Sequence, residues 1–423
     1  MKTVYFRTFI ILFVMMVAAV VYGQYKKHKC LVVIGEPDVH KRYPHQYRPI
    51  QFIEYTQKGL WFEKDLPKSF FVQPYSLSSK PAQKDQWSLM AVGDIMAHAD
   101  LQVSAYLHSD DPAETSGGYD WMFKNVTELF SGADVVLGNL ETPISPRSSR
   151  SGYPRFNADP LLLDALRKVD FDILFTANNH ALDQGEEGVI ETHEQLEQRN
   201  LLHLGTNHPA RDKRDFLILS IGDSHTLKIA FLNYTFVTNI EPPNDRIVQY
   251  LSLDVDRIEE IAHAIKAAKN ENAEYIVVFL HWGQEYHAMP MRSQREVVKG
   301  LCLQGADMII GSGPHVIQPM EIIYSKGGKI LEAHVEGAKE HFVAYSLGNF
   351  ISHQRGMPQY GMALEITIAE RGNGFFMHNA VPHIVKSVVR KEEMVIDGFV
   401  RSHDSYQLQE VALAEFTDYI KED

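Results

Sequence analysis

The sequence predicts a layered α/β fold from the distribution of its apolar residues. Short, continuous apolar runs recur from Trp87 onward, namely SLMAVGD, ADVVLGN, FDILFTANN, IVVFLHWG, DMIIGSG and FVAYSLGNF. Such runs are typical of strands that are buried on both faces, and helical patterns separate them along the chain. With 423 residues and 45% hydrophobic content, the chain can bury one large core or two moderate ones. These observations indicate helices packed in layers on buried sheets.

Two helices are predicted from the spacing of apolar residues between these runs. Leu182, Val189 and Leu196 recur every seven residues among Glu and Gln, so a helix between residues 182 and 200 should bury one face. Residues 254–270 show the same character. We therefore expect both segments to pack one side against a sheet.

Two further strand regions complete the predicted elements. Residues 216–234 read as a hairpin that turns at Gly222 and Asp223. Beyond His353, the segment GMALEITIAE predicts another strand, and the remaining tail has no clear period. The chain contains no internal repeat and no low-complexity block.

The N-terminus carries a pattern of export. Lys2 and Arg7 precede an apolar run from Phe9 to Tyr22, which is shorter than the roughly 20 residues that a spanning helix prefers. This length favours a secretory signal that is cleaved near Gly23. An uncleaved anchor is the alternative, because lysines follow the run about as densely as positive residues precede it. We expect an exported protein, either periplasmic or extracytoplasmic, or held at the membrane by this segment.

Composition divides the chain into four parts. Residues 1–23 form the predicted signal peptide or membrane anchor, and residues 24–86 form an extension and linker rich in Lys, Pro, Tyr and Gln. Residues 87–355 carry the alternating strand and helix patterns of the main domain. Residues 356–423 are expected to supply a C-terminal strand and tail that complete this domain.

Charge and cysteine content narrow the class of function. Lys plus Arg total 41 against 54 for Asp plus Glu, and the formal net charge of −13 argues against a nucleic-acid partner. An anionic substrate would therefore need a local positive site or metal ions. Only Cys30 and Cys302 are present, so no disulfide framework supports the fold, and Cys302 is expected in the core.

Polar side chains suited to metal or phosphoryl chemistry follow successive apolar runs. One such ending is ordinary, since Asn and His at a strand end often only cap the next helix. Repetition at several strand ends would instead gather these side chains along one rim of a sheet. The rim residues are Asp94, Asn139, Glu141, Asn178, Asn179, His180, His281, His315 and Asn349.

These segments, in this order, resemble the CapA family of poly-γ-glutamate capsule proteins, within the calcineurin-like metallophosphoesterase superfamily. The resemblance runs from about Leu89 to Phe350 through the motifs GDIM, GNLETP, NNHALDQG, HWGQEY, GPHVIQP and YSLGNF. It implies a four-layer α/β/β/α sandwich whose loops at the strand ends form the active site. It also implies one or two divalent metal ions as cofactors, with Zn, Mn or Fe as suitable metals.

The resemblance also implies roles for the rim residues. The implied metal ligands are Asp94, Glu141, Asn179, His281 and His315. Among the remaining residues, His180 would be the acid that protonates a leaving group, and Asn178 and Asn349 are expected to contact substrate.

Two departures from the superfamily pattern affect the predicted metal site. Where classical members have a second imidazole after the first Asp, this chain has Met96, and before the last His it has Gly313. Each of the two implied metal sites would therefore lack one ligand. His98, one helical turn after Asp94, is a possible substitute, although a lone His is more often a packed or solvated side chain.

The segment SPRSSRSGYPR follows the GNLETP motif and contributes Arg147, Arg150 and Arg155. Its simplest interpretation is a solvated loop. In an acidic protein, however, these arginines are also the best candidates for binding a substrate rich in carboxylates or phosphates. Both interpretations are open from the sequence.

The sequence thus predicts a CapA-like envelope protein that acts on capsule or another anionic polymer or peptide by metal-assisted hydrolysis of an amide or phosphoester bond. Membrane-bound capsule synthesis components are expected partners. The alternatives are a polymer-binding assembly factor without catalysis and an envelope phosphatase or nucleotidase. The missing imidazoles at Met96 and Gly313 favour the assembly factor somewhat.

Overall fold

The structure of the chain is a computed structural model. The described residues are 34–35, 50–51, 55–56, 59–60, 86–109, 116–222, 225–244, 246–251, 258–372, 374–396, 399–412 and 415–416. The predicted signal peptide or anchor lies outside them, as does most of the predicted extension and linker. The described residues of the extension form two antiparallel pairs of two-residue strands. Within the described ranges, no helix is long and apolar enough to cross a membrane.

The described residues from 86 onward form fifteen strands and seven α-helices. In chain order the strands are β1 (Gln86–Ile95), β2 (Val135–Leu140), β3 (Ile173–Phe175), β4 (Leu202–Leu204), β5 (Leu217–Ile221), β6 (Leu227–Thr235), β7 (Tyr275–His281), β8 (Met308–Ser312), β9 (Met320–Lys326), β10 (Lys329–Leu331), β11 (Lys339–Ala344), β12 (Asn349–Ile351), β13 (Tyr360–Arg371), β14 (Gly374–Ile396) and β15 (Phe399–Glu410). The helices are α1 (Ala99–Leu107), α2 (Tyr119–Phe123), α3 (Thr127–Phe130), α4 (Leu161–Lys168), α5 (Gly185–Gln198), α6 (Glu259–Asn270) and α7 (Arg292–Gln304).

Two sheets contain these strands. The eight-stranded sheet has the order β15-β14-β13-β1-β2-β3-β4, and β12 also pairs with β1. The seven-stranded sheet has the order β10-β9-β11-β8-β7-β6-β5. In each sheet four neighbouring strands are parallel: β1 to β4 in the first, and β6, β7, β8 and β11 in the second. Their carboxyl ends therefore share one edge of each sheet.

The hydrophobic core explains why the apolar runs are continuous. Along β1, Leu89 and Ala91 face a core between the two sheets, whereas Met90 and Val92 face a second core under helices α1 to α5. A third core lies between the other sheet and helices α6 and α7. A strand covered on both faces needs apolar residues at every position. The predicted four-layer α/β/β/α sandwich is confirmed by these three cores.

The predicted helices and hairpin are also confirmed. The segment 182–200 contains α5, and the segment 254–270 contains α6, although residues 252–257 lie outside the described ranges. Strands β5 and β6 pair antiparallel as the predicted hairpin, and β13 is the strand predicted after His353. Cys302 is buried in the core, as expected, and burial raises the pKa of its thiol.

A histidine on the C-terminal strands gives the fold a testable pH dependence. His383 on β14 lies 3.2 Å from a Glu365 carboxylate oxygen and 3.0 Å from one of Glu410, on the two flanking strands. Burial opposes protonation, but the hydrogen bonds and charges of these two carboxylates outweigh it and raise the pKa of His383 from 6.5 to about 9. The resulting stability is fully present below pH 6.5 and is lost as the pH rises through about 9.

We therefore expect His383→Gln to lower the free energy of unfolding by about 1–2 kcal/mol at pH 7, a value reduced by solvent screening of the two half-exposed carboxylates. The difference from wild type should disappear by about pH 10. Urea denaturation at both pH values measures it, with His378→Gln on the same strand as control. An equal loss at both pH values would show that packing, rather than charge, is responsible.

Candidate metal centre

The predicted rim residues meet where the carboxyl ends of the parallel strands of both sheets come together. Asp94 lies near the end of β1, and Glu141 follows β2 directly. From the other sheet, His281 ends β7, and His315 follows β8. All four are buried. The structure thus brings residues far apart in the sequence into one cluster.

A bulge in β1 directs Asp94 into this cluster. The register between β1 and β2 shifts between Val92 and Asp94, so Gly93 is an extra residue in the strand. A Cβ at Gly93 would lie only 1.8 Å from the carbonyl oxygen of Gly348. The close approach allows the Asp94 amide to donate to that carbonyl at 3.0 Å. The GDIM and YSLGNF motifs therefore meet backbone to backbone at this point.

The Asp94 carboxylate is held by three groups from two segments. Its Oδ1 accepts a hydrogen bond from Asn139 Nδ2 at 2.8 Å. Its Oδ2 accepts from the Gly313 amide at 3.1 Å and lies 3.1 Å from His315 Nδ1. Burial opposes ionisation, but the His315 hydrogen bond and the charges of His315 and His281 lower the pKa of Asp94 to about 2. Asp94 is therefore ionised at neutral pH.

Glu141 has the opposite electrostatic environment. Burial and the negative charge of Asp94 raise the pKa of Glu141 well above its usual range. Within the described residues, its Oε1 accepts no hydrogen bond. This atom lies 3.9 Å from His281 Nε2 and 3.8 Å from His315 Nε2. A buried oxygen without a donor and facing two imidazoles is suited to a cation.

Burial lowers the pKa of His281 to about 3, so this imidazole is neutral and offers a lone pair. For His315, burial is outweighed by the hydrogen bond and charge of Asp94, which raise its pKa. The Nδ1 of His315 lies 3.1 Å from Asp94 and 3.0 Å from Asn349 Oδ1, which leaves its Nε2 directed at Glu141.

Asn139 lies at the centre of the cluster, although the sequence predicted it only as a rim residue without a role. Its Nδ2 is 2.8 Å from Asp94 Oδ1, 3.3 Å from Glu141 Oε2 and 3.1 Å from His281 Nδ1. One amide nitrogen has only two protons for these three neighbouring atoms. Ligand atoms of Asp94, Glu141 and His281 lie within 4.8 Å of one another. Two carboxylates and an imidazole at these separations fit a divalent cation.

His180 belongs to a separate part of the cluster with its own supporting groups. Its Nδ1 lies 2.6 Å from Asp183 Oδ2, which also accepts from the Phe156 amide at 2.7 Å. The ring of Phe156 packs edge-on against His180, with centroids 4.6 Å apart. Asn239 Nδ2 lies 3.3 Å from the same Nδ1. Sequence reasoning missed Asp183, although its position three residues after a candidate acid is a usable signal.

The three predicted asparagines occupy different positions. Asn179 Oδ1 is buried and accepts no hydrogen bond among the described residues, as expected of an atom that can bind a cation. Asn178 Nδ2 instead donates to Asn139 Oδ1 at 3.1 Å and to the Leu140 carbonyl at 2.8 Å. The Asn349 amide nitrogen is also used internally, by Gln354 and Pro358. The contacts give Asn178 and Asn349 positioning roles, and their contact with substrate stays a prediction.

The two departures from the superfamily pattern have a structural basis. Met96 is buried in the core beside the site. Gly313 has a φ of 103°, and a Cβ there would lie 3.0 Å from the backbone nitrogen and oxygen of Trp282. An imidazole at Gly313 would therefore require the backbone to shift. His98, the candidate substitute, precedes α1 and packs on Phe156 with centroids 5.0 Å apart.

Two of the three predicted substrate-binding arginines already have acidic partners. Arg147 lies against carboxylates of α5, at 2.5 Å from Glu187 and 3.2 Å from Glu191. Arg150 forms an ion pair with Asp159. Arg155 is exposed and immediately precedes Phe156, which contacts His180. Arg155 is therefore the arginine of this loop best placed to meet a ligand at His180.

Comparison with known proteins agrees with the motifs. Residues 88–354 match the family of bacterial capsule synthesis proteins, PGA_cap. The chain is 26% identical over 313 residues to the capsule biosynthesis protein CapA of Bacillus anthracis, across 72% of this chain and 68% of that protein. It is 27% identical over 327 residues to the PGA biosynthesis protein CapA of Bacillus subtilis strain 168, across 75% and 78%.

Among solved structures, the chain matches that of the calcineurin-like phosphoesterase YfkN from Bacillus subtilis. It has 13% sequence identity and a TM-score of 0.39, and the match covers 71% of this chain and 91% of that one. The family match includes every motif of the candidate metal centre and spans more than half of the sequence. The resemblance predicted from the motifs is thereby confirmed, and the chain belongs to the PGA_cap family of bacterial capsule synthesis proteins.

Proposed function

We propose that this protein processes an anionic capsule polymer, with poly-γ-glutamate as the first candidate, by metal-assisted hydrolysis. The observation that carries the proposal is that the ligand atoms of Asp94, Glu141 and His281 lie within 4.8 Å of one another. The undonated oxygens of Glu141 and Asn179 add to this support. The names of the CapA relatives supply the class of polymer.

The charge of the site supports a requirement for cations. Asp94, Glu141 and Asp183 are buried carboxyl groups in one cluster. Glu285 is exposed, and its charge contributes to the raised pKa of Glu141. Such a group of acids repels a polymer that itself carries carboxylates. Divalent cations would reverse the sign of the local potential and allow an anionic chain to approach.

The chain's own residues have distinct tasks in this proposal. Asp94, Glu141, Asn179, His281 and His315 would hold one or two divalent ions. Such ions supply Lewis-acid activation of a carbonyl or phosphoryl group and of water. His180 donates a proton to the leaving group, and Asp183 orients its ring by accepting at Nδ1. Arg155 is the arginine placed to bind the polymer near His180.

The experiment uses the full chain, stripped with a chelator and reloaded with Zn²⁺, Mn²⁺ or Fe²⁺. We expect poly-γ-glutamate to be shortened, as measured by size-exclusion chromatography and by the appearance of new amino groups, only in the reloaded samples. Muropeptides and phosphoesters serve as comparison substrates. Hydrolysis of phosphoesters alone would replace this proposal with an envelope phosphatase or nucleotidase, and equal cleavage in the stripped sample would exclude a metal requirement.

A polymer-binding factor without catalysis is the second candidate. It is favoured by the two missing imidazoles, whose absence has a structural basis. Met96 is a core residue, and a Cβ at Gly313 would crowd the backbone of Trp282. Metal binding and polymer binding with no turnover of any substrate would support it. In both cases the export pattern of residues 1–23 leads us to propose a location outside the cytoplasm, beside membrane-bound capsule synthesis components.

A further inference from the structure

A second group of potential metal ligands lies away from the candidate metal centre. His193 and Glu197 are one turn apart on α5, and His203 lies on the neighbouring edge strand β4. The ligand atoms of these three residues lie within 4.8 Å of one another. Both imidazoles are buried, with 5% and 6% of their surface exposed, and the carboxylate faces solvent. Nothing in the candidate metal centre uses these side chains.

The hydrogen bonds of two threonines fix the proton on His193. Thr176 Oγ1 donates to the Leu204 carbonyl at 3.0 Å. Thr206 Oγ1, 2.8 Å away, must then donate its own proton to Thr176. Thr206 is left as the acceptor for His193 Nε2 at 3.0 Å. A neutral His193 protonated on Nε2 has its lone pair on Nδ1.

The neighbouring imidazole has a matching arrangement. His203 Nδ1 is directed at the Leu201 carbonyl at 3.4 Å, and an oxygen of this kind can only accept. With its proton on Nδ1, His203 has its lone pair on Nε2, which lies 3.2 Å from His193 Nδ1. Two lone pairs thus face each other at a distance that requires a proton or a cation between them.

A cation between the two rings leaves the outer hydrogen bond of each imidazole in place. In a neutral His203, a proton on Nε2 would instead require the ring to release its Nδ1 contact with the Leu201 carbonyl. The ring nitrogen that faces away from the other imidazole is held by the Thr206 hydroxyl in His193 and by the Leu201 carbonyl in His203. Such a second hydrogen bond is usual for histidines that bind metals. The hydrogen bond from Arg211 lowers the pKa of Glu197, so this carboxylate is charged.

We propose that His193, Glu197 and His203 form a second divalent-cation site and that this site binds zinc. Two neutral imidazole nitrogens and one carboxylate are ligands typical of zinc, with a fourth position left for water. Glu197 contributes the oxygen by releasing one of its two contacts with Arg211. This inference is independent of hydrolysis at the candidate metal centre.

The position of the site gives it a structural role. The cation would connect α5 to β4, the edge strand of the eight-stranded sheet. Helix α5 begins at Gly185, directly after the turn that carries Asn179, His180 and Asp183. Fixing this helix at its far end would restrict the movement of that turn. We therefore expect zinc at this site to raise the melting temperature of the protein.

The test measures zinc per chain by mass spectrometry after the full chain has been stripped and reloaded. Wild type is compared with His203→Ala and Glu197→Gln, and His263→Ala, an exposed histidine on α6, is the matched control. We expect about one zinc fewer in His203→Ala, weaker zinc binding in Glu197→Gln, and no change in the control. Thr206→Val should weaken the affinity about 10–100-fold, because it removes the acceptor that orients His193.

Glu141→Ala separates the two sites, because it is expected to retain the zinc bound by His193 and His203. In that variant, Co²⁺ should give the visible absorption of a four-coordinate site, and His203→Ala should abolish it. Glu197 is exposed, so Glu197→Gln reports on binding even if His203→Ala fails to fold. Unchanged zinc content and affinity in Glu197→Gln, with no cobalt absorption in Glu141→Ala, would overturn the proposal.

Discussion

Replacing Glu141 by alanine is expected to abolish metal binding at the candidate metal centre and, with it, all hydrolysis. The Oε1 atom of Glu141 faces His281 and His315 and receives no hydrogen bond from the described residues. In the absence of a cation the charged form of this side chain is unfavourable, since burial and the charge of Asp94 raise the pKa of Glu141. Its contribution therefore depends on the bound metal.

Two measurements distinguish this role from a purely structural one. Metal analysis should show the loss of the ions held by the centre, and calorimetry should show that adding metal no longer raises the melting temperature through this site. Glu141→Gln keeps the shape and removes the charge, so we expect the same loss. Glu321→Gln, at a buried acid that accepts a hydrogen bond from Tyr345 and is none of the predicted ligands, is the control. Undiminished metal content in Glu141→Ala would contradict the assignment.

Replacing His180 by alanine should leave the metal content near normal while lowering kcat by about 10²–10⁴-fold. His180 reaches the cluster from the turn after β3, and its Nδ1 donates to Asp183 rather than contacting Glu141 or His281. Asp183→Asn should give a smaller loss of kcat with little change in KM, because the ring remains but its orientation is weakened.

The leaving group of the substrate tests whether His180 delivers a proton. An activated substrate whose leaving group needs no proton should be cleaved by His180→Ala at nearly the wild-type rate, whereas the natural bond should not. If His180 only caps the turn, its loss would cost about 1 kcal/mol of stability and leave turnover intact on both substrates. Normal turnover on the natural bond would therefore remove His180 from the mechanism.

The sequence predicted the central strands correctly because burial on both faces leaves a direct pattern. Leu89 and Met90 are neighbours in the chain yet face different cores, so the run must be apolar throughout. The long strands β14 and β15 gave no such pattern. They lie at the end of the sheet, and β14 mixes Lys, Arg, His and Glu with its apolar residues. Strand β14 is positioned by pairing with β13, and β15 by pairing with β14, and the local sequence does not encode these pairings.

The same distinction applies to the arginines of the loop after Glu141. Their charge and position next to a site motif made them candidates for substrate binding. Arg147 lies instead against α5, and Arg150 against Asp159. The acidic partners are separated from the arginines by many residues or by a turn, and only the folded chain brings them together. All three arginines are exposed, and among the described residues only Arg155 has no acidic partner.

By itself, the sequence determined the layered fold, the rim of polar residues and the family, because these depend on local periodicity and on the order of short motifs. The tertiary structure decided how the donors and acceptors are matched. Among the described residues, it left Glu141 Oε1 without a donor. It placed Asn139 beside Asp94, Glu141 and His281, and it set His193 against His203. These are contacts between parts of the chain that are distant in sequence. Their chemistry depends on differences of a few tenths of an ångström in the distance between atoms, and only packing defines these distances.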